Sequence, residues 1–311
     1  MSTLAAPRWP GLALPVICAP MYRVSGVDLV VAACKAGVIG SLPAANARST
    51  EELDRWLYSI RLQLQDVQGK VPYAVNLVVH RTNPRLKEDL AVCVDHKVPL
   101  VITSVGKPSD VVAAVKAYGG VIYHDVATTA QGLSAVACGI DGLILLCAGA
   151  GGQTGTLNPF SFLEEVREYW SGDVIISGGI ATGRGVRAVQ ALGAAYAYIG
   201  TLFAATQESI ADPGYKELLV ASSSKDIVAV AGRFGALTSI IRKTLLDAGL
   251  PEQAPGPGIP VNLNPAPEVA AQWASVRSAG QGVGSVRRVA PVAEIIERLV
   301  KEYEASSQNL K

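Results

Sequence analysis

GLILLCAGAGGQTG, residues 142–155, joins a fully apolar run to a loop of small residues. The run Gly142–Cys147 reads as a buried β-strand, too short and too evenly apolar for an amphipathic helix. It breaks into Ala148-Gly149-Ala150-Gly151-Gly152, followed by one polar side chain, Gln153, and by Gly155. With few Cβ atoms in the way, such a backbone can approach a flat or phosphorylated ligand closely. The same signature returns downstream at Ser177-Gly178-Gly179 and at Gly200-Thr201. One such loop is adequately explained as a tight βα turn. Three of them after three buried strands point to a ligand site.

Outward from this stretch the chain alternates short apolar runs with amphipathic segments. Strands are expected at Pro15–Ala19, Val38–Leu42, Tyr73–Val79, Leu100–Ser104, Val121–His124, Gly142–Cys147, Val174–Ile176 and Tyr196–Ile199. Helical spacing and capping signals fill the gaps. Ser25 with Asp28, Ser49 with Glu52 and Ser161 with Glu164 read as capping boxes, Asn83-Pro84 as a helix start, and Gly37 as a helix stop. Helices are also expected over Pro108–Tyr118, Thr128–Cys138 and Gly183–Leu192. Eight βα units in about 200 residues predict an α/β fold, a (β/α)8 TIM barrel with its site at the strand C-terminal ends. The competing doubly wound sheet lacks a GxGxxG after its first strand.

The barrel is expected over residues 1–205, and a helical subdomain with a C-terminal return segment over 206–311, packed across the barrel mouth. Residues 206–250 read as helical throughout, with Ile227–Val230 as an apolar patch. The Pro/Gly-rich stretch 251–268 reads as a loop or linker. A helix containing Trp273 then leads into SAGQGVG, residues 278–284, and a last helix spans Pro291–Ala305.

Composition narrows the function. Half of the 311 residues are hydrophobic, 17% are charged, and 27 Lys plus Arg face 26 Asp plus Glu, a net charge of +1. That balance provides no basic field for nucleic acid and no cationic cluster for an anionic membrane, so a small-molecule substrate is expected. The five cysteines show no ligand spacing and read as apolar fillers of a reducing compartment. With neither a signal peptide nor a bilayer-length apolar run in view, a cytoplasmic protein is expected.

Loops seven and eight of such a barrel are its usual phosphate site, which nominates Gly178, Gly179, Gly200 and Thr201. Arg184 or Arg187 could add charge there. A polar Asn76 inside strand three and the glycine loop after strand six extend the site towards one flat phosphorylated cofactor, best matched by flavin mononucleotide. Of the three histidines, His80 and His124 fall at strand ends and are candidate catalytic groups, whereas His96 reads as a helix end beside Asp95 and Lys97. No His/Cys/Asp/Glu grouping has metal-ligand spacing, so no metal is expected.

At these residues the chain resembles the nitronate monooxygenase family, formerly 2-nitropropane dioxygenases. The resemblance is carried by Ala19-Pro20-Met21 with Val24-Ser25, Asn76, AGAGG at 148–152, SGGI at 177–180 and GT-x-F at 200–203. Glu208…Tyr215-Lys216 and Trp273…AGQGVG continue it, so that it runs from about residue 12 to about 285 in the family's order. It implies an FMN-binding TIM-barrel oxidoreductase related to FMN-dependent enoyl reductases. The cofactor contacts it implies are Ala19, Pro20, Met21, Asn76, Ala150, Gly151, Gly152, Ser177, Gly178, Gly179, Gly200 and Thr201.

Two positions depart from the family pattern. The loop after strand six usually ends in a histidine that acts as base or hydrogen-bond donor; here that residue is Gln153. A carboxamide cannot abstract a proton near neutral pH but can donate an N–H to a nitro or carbonyl oxygen. Strand five, which commonly ends in a basic residue, ends in His124-Asp125, where His124 could supply the missing positive charge. The leading expectation is oxidation of alkyl nitronates with O2 without a histidine base, since a nitronate is already an anion. The alternative is an NAD(P)H-dependent FMN reductase of an enoyl thioester, enone or quinone. A flavin-binding barrel without turnover is the third reading.

Overall fold

The computed structural model describes residues 8–67, 71–253 and 261–308. Eight parallel strands form the core sheet: β1 (Val16–Cys18), β2 (Gly40–Pro43), β3 (Tyr73–Val78), β4 (Leu100–Ser104), β5 (Val121–Val126), β6 (Gly142–Leu146), β8 (Asp173–Ser177) and β9 (Tyr196–Ile199). A two-residue strand, β7 (Gly152–Gln153), lies outside that sheet. The order β1-β9-β8-β6-β5-β4-β3-β2 is closed by a parallel bridge between Ile17 and Ile39. The Cys18 N–H donates to the Ile39 carbonyl at 2.8 Å and the Ile39 N–H to the Val16 carbonyl at 3.0 Å. The TIM barrel expected from the eightfold alternation is the fold.

Period-2 alternation along each strand sorts side chains into two cores. Val101, Ile122, Val126, Leu143, Leu145, Val174 and Ile176 point outward into the layer shared with the helices. Ile17, Ala74, Ile102, Tyr123, Ile144, Ile175, Tyr196 and Tyr198 fill the barrel interior. Trp9 stoppers the N-terminal end, its ring 6.2 Å from that of Tyr123 and 5.8 Å from that of Tyr196. The Tyr123 hydroxyl donates to Asp173 Oδ2 at 2.7 Å, and the same oxygen pairs with Arg8 Nε at 3.2 Å.

The outer helices are α1 (Val27–Lys35), α2 (Thr50–Gln63), α3 (Leu86–Asp95), α4 (Ser109–Ala117), α5 (Thr129–Val136), α6 (Pro159–Arg167) and α7 (Gly183–Ala191). Their starts correct two expected capping boxes. α1 is capped by Gly26, because the Ser25 hydroxyl accepts the Met21 N–H at 3.0 Å instead. α6 is capped by Asn158 ahead of Pro159, while the Ser161 hydroxyl donates back to the Asn158 carbonyl. Ser49 does cap α2, accepting the Glu52 N–H.

After β9 come α8 (Thr201–Ala204) and α9 (Pro213–Ala221), and then a departure from expectation. Residues 206–250 are not helical throughout: β10 (Ile227–Ala231) and β11 (Leu237–Ile241) form an antiparallel hairpin before α10 (Arg242–Asp247). The hairpin turns through Gly232 and Gly235, and β11 also pairs with β7, matching Thr238 to Gln153 and Ser239 to Gly152. The segment 251–268 falls partly outside the described residues; its last two residues already belong to α11 (Pro267–Gln272), which has Trp273 as its C-cap, and α12 (Val292–Gln308) follows.

α12 returns to the outside of the barrel and packs on α7. A Cβ on Gly183 would lie 2.0 Å from the Leu299 carbonyl oxygen, so glycine is required where the two helices cross. Glu302 accepts the Gly183 N–H at 2.7 Å, satisfying one of the first amides of α7. Glu208 in turn accepts the Val292 N–H at the start of α12. Among the described residues no helix is long and apolar enough to cross a membrane.

Candidate active site

The three glycine-bearing loops converge at the C-terminal end of the barrel. Ala150, Gly151, Ser177, Gly178, Gly179, Gly200 and Thr201 line one cleft. Two further residues, Gly280 and Gly282, enter from the 278–284 loop, which the sequence singled out without giving it a place in the site. That loop is stitched in by the Gly280 N–H to Thr201 Oγ1 (2.9 Å) and by the Gln281 N–H to the Gly149 carbonyl (2.9 Å). The Tyr215 hydroxyl donates to the Ser278 carbonyl, and Arg277 lies over the Tyr215 ring while pairing with Asp212 at 3.1 Å. The Glu208…Tyr215-Lys216 stretch thus anchors the C-terminal segment. Arg187 is engaged by Tyr303 on α12, and Arg184 is exposed.

The first-strand residues meet the cleft from the other side. A Cβ on Gly200 would lie 3.4 Å from Met21 Sδ and 3.7 Å from Ala19 Cβ. The Ala19-Pro20-Met21 turn is pinned by Ser25 and by Asn46, which the sequence reading missed. Asn46 Nδ2 donates to the carbonyls of Met21 (2.9 Å) and Ser25 (2.8 Å), and its Oδ1 accepts the Arg23 N–H at 2.8 Å. Asn76 is buried in the barrel interior, its amide donating to the Ile102 carbonyl and to Ser104 Oγ, both at 3.2 Å.

Gln153 follows the cradle directly. Its backbone is clamped in β7 against the hairpin, and among the described residues its carboxamide makes no hydrogen bond. His80 sits in the loop after β3, its Nδ1 2.8 Å from Thr82 Oγ1. Asn264 Nδ2 donates to the Thr82 carbonyl at 3.0 Å, tying the C-terminal segment to the same loop.

His124 is not part of this arrangement. It shares the outward side of β5 with Ile122 and Val126, is 4% exposed, and lies 2.8 Å from Thr103 Oγ1. Burial lowers its pKa to about 4, so it is neutral at pH 7 and cannot supply the positive charge expected of it. The alternation that turns Tyr123 into the barrel turns His124 outward. The inward residue at that level is Asp125. Its Oδ1 is shut off from solvent without a partner, and burial pushes its pKa up to about 8.

The cradle suits a flat phosphorylated ligand. A Cβ on Gly151 would stand 2.6 Å from the Gly280 nitrogen, so the loops approach as closely as bare backbone allows. Gly152 and Gly179, at φ +66° and +67°, face open space with no atom within 4 Å of an added Cβ. The buried hydroxyl of Tyr198, which also lines the cleft, has no partner. A cavity of about 140 Å³ at the opposite end of the barrel, bounded by Trp9, Tyr73 and His96, contains none of these groups and lies on the face that does not carry chemistry in this fold. Among the described residues no cluster of three or more His, Cys, Asp or Glu could hold a metal ion.

Comparison with known proteins is consistent with this geometry. The family model for nitronate monooxygenase matches residues 81–302. A nitronate monooxygenase from Paraburkholderia phytofirmans is 26% identical over 97% of this chain and 95% of its own. One from Pseudomonas aeruginosa is 27% identical over 94% and 97%. The solved nitroalkane oxidase from Streptomyces ansochromogenes superposes with a TM-score of 0.80 at 25% identity, covering 96% of this chain and 98% of that one. FabK from Thermotoga maritima gives 0.78 at 24% identity, covering 97% and 96%, a likeness of fold.

Proposed function

Since this chain belongs to the nitronate monooxygenase family, an oxidoreductase family acting on small molecules, we propose that it is an FMN-dependent enzyme that oxidises alkyl nitronates with O2. Gly178, Gly179, Gly200 and Thr201 would hold the phosphate end of the cofactor. Ala19, Pro20, Met21, Asn76, Ala150, Gly151, Gly152 and Ser177 would border the remainder. The bound FMN supplies the electron acceptor.

The observation that carries this reading is the placement of Gln153, held by β7 at the end of the glycine cradle with its carboxamide uncommitted. An N–H donor there can hold a nitro group whose α-carbon is already deprotonated. It cannot take a proton from a neutral nitroalkane. His80, at the same end of the barrel, is the residue that would serve as base if one is used.

The same observation supports a second reading, an NAD(P)H-dependent reductase of an enoyl thioester, enone or quinone, in which Gln153 polarises the substrate carbonyl. Anaerobic mixing of the FMN-loaded protein with NADH, NADPH and ethyl nitronate, followed by flavin absorbance, separates the two. Bleaching by nitronate alone is expected. Bleaching by a nicotinamide and not by nitronate would replace the first reading with the second, and a protein that takes up no FMN would overturn both.

A further inference from the structure

Tyr123 and Tyr196 stand near the base of the barrel interior, and each strand places a polar residue two positions further on, Asp125 on β5 and Tyr198 on β9. Both carry a buried oxygen with no hydrogen-bond partner, Oδ1 of Asp125 and the hydroxyl of Tyr198. Tyr198 lines the glycine cleft, and the charge of Asp125 acts on it. Two orphaned polar atoms at one level of a closed barrel are costly unless a ligand answers them.

We propose that Asp125 is a positioning residue for the ring of the bound cofactor: its carboxyl group donates a hydrogen bond to the ring as the neutral acid and opposes negative charge on the ring once ionised. This rests on the FMN reading above. The inward direction of Asp125 follows from the strand alternation, since it lies two residues beyond Tyr123 and pairs in register with Ile144, both interior residues. Among the described residues no cation pairs with it.

Its surroundings are poor in other titratable groups. His124 points to the opposite side of β5, and Tyr198 faces Asp125 from β9. On β6 the neighbours are Ile144 to Leu146, and the next residue, Cys147, has a thiol that burial pushes up to about 12. At the end of β4 stands Ser104, which is occupied by Asn76. α4 and α5 lie on the outer side of the barrel. Burial in this setting moves the carboxyl into the range near pH 8, which gives the proposal a definite window.

The test is the midpoint potential of bound FMN in the wild type and in Asp125→Asn between pH 6 and 10, recorded by dye-linked titration. Below pH 7 the two proteins should track each other in pH dependence. Above pH 8 the wild type should lose preference for the reduced cofactor by roughly tenfold relative to D125N, the effect of about one pKa unit of charge repulsion. Tyr198→Phe should leave that break in place. Where D125N does not load, an inflection in the wild-type curve between about pH 7.5 and 9 carries the test. Parallel curves over the whole range, or no inflection in the wild type, would overturn the assignment while leaving the FMN reading standing. Absence of FMN uptake by the wild type would overturn both.

Discussion

Gly151 and Gly280 meet backbone to backbone: a Cβ on Gly151 would lie 2.6 Å from the Gly280 nitrogen, and one on Gly280 would lie 2.7 Å from the Gly149 carbonyl oxygen. Residues 129 positions apart in sequence therefore form one wall of the cleft, and neither contact can yield by rotating a side chain. Gly151→Ala and Gly280→Ala should each weaken FMN binding by about tenfold or more, the scale on which a buried overpacking is felt. Gly284→Ala, whose Cβ would meet nothing closer than 3.9 Å, should leave affinity unchanged. Quenching of flavin fluorescence on titration reads all three.

Gln153→His restores a group able to accept a proton at the end of the cradle. Oxidation of neutral nitroethane should rise by about a hundredfold, the low end of what a positioned base contributes, with ethyl nitronate turnover changed far less. Comparable gains in kcat/KM for both substrates would show that the position acts only by binding.

His124 makes acid stability a test of its buried, neutral state. Its folded pKa of about 4 lies below the ordinary value of 6.5. Between these values the unfolded chain binds a proton that the native protein refuses, so stability falls as pH drops from 6.5 towards 4 and levels off below. The full loss is on the order of 3 kcal/mol. His124→Gln, compared with wild type by urea unfolding at pH 7 and pH 4, should remove this slope.

Asp125 has the opposite sign. A carboxyl raised to about 8 from 3.8 costs stability as pH rises through that interval, because the unfolded chain ionises first. D125N should therefore unfold at a higher temperature than wild type at pH 7, with the advantage vanishing below pH 4. Equal melting temperatures at pH 7 would contradict the inward placement of this half-buried acid, whose Oδ1 has no partner.

Trp9 is the stopper of the barrel base. Trp9→Ala should destabilise the protein by about 2 kcal/mol, less than the ~3–5 kcal/mol of a fully buried tryptophan because Trp9 is partly exposed. FMN affinity, set at the other end of the barrel, should not change.

Most of the barrel strands could be read from the sequence because they are largely apolar on both faces and bounded by turn residues. The glycine loops could be read because three strand ends carry the same small residues. The hairpin could not be read with the same rule. β10 and β11 are half-exposed, and the Ile227–Val230 patch has no alternation strong enough to separate strand from helix. Gly232 and Gly235 were the available turn signal. Strand-end position alone does not place His124, because successive strand residues take opposite faces; one step along β5 separates it from the inward Asp125. The role of residues 278–284 needed the third dimension, since nothing local tells a glycine loop which distant glycine it will meet.

Glu302 on α12 caps α7, and Gly280 and Gly282, shortly before α12, complete the cleft. A nascent chain that has emerged through β9 already carries all eight strands, yet it lacks one wall of the cradle and the helix that braces α7. A complete set of barrel strands is therefore still an open cleft until residues 279–284 dock against it.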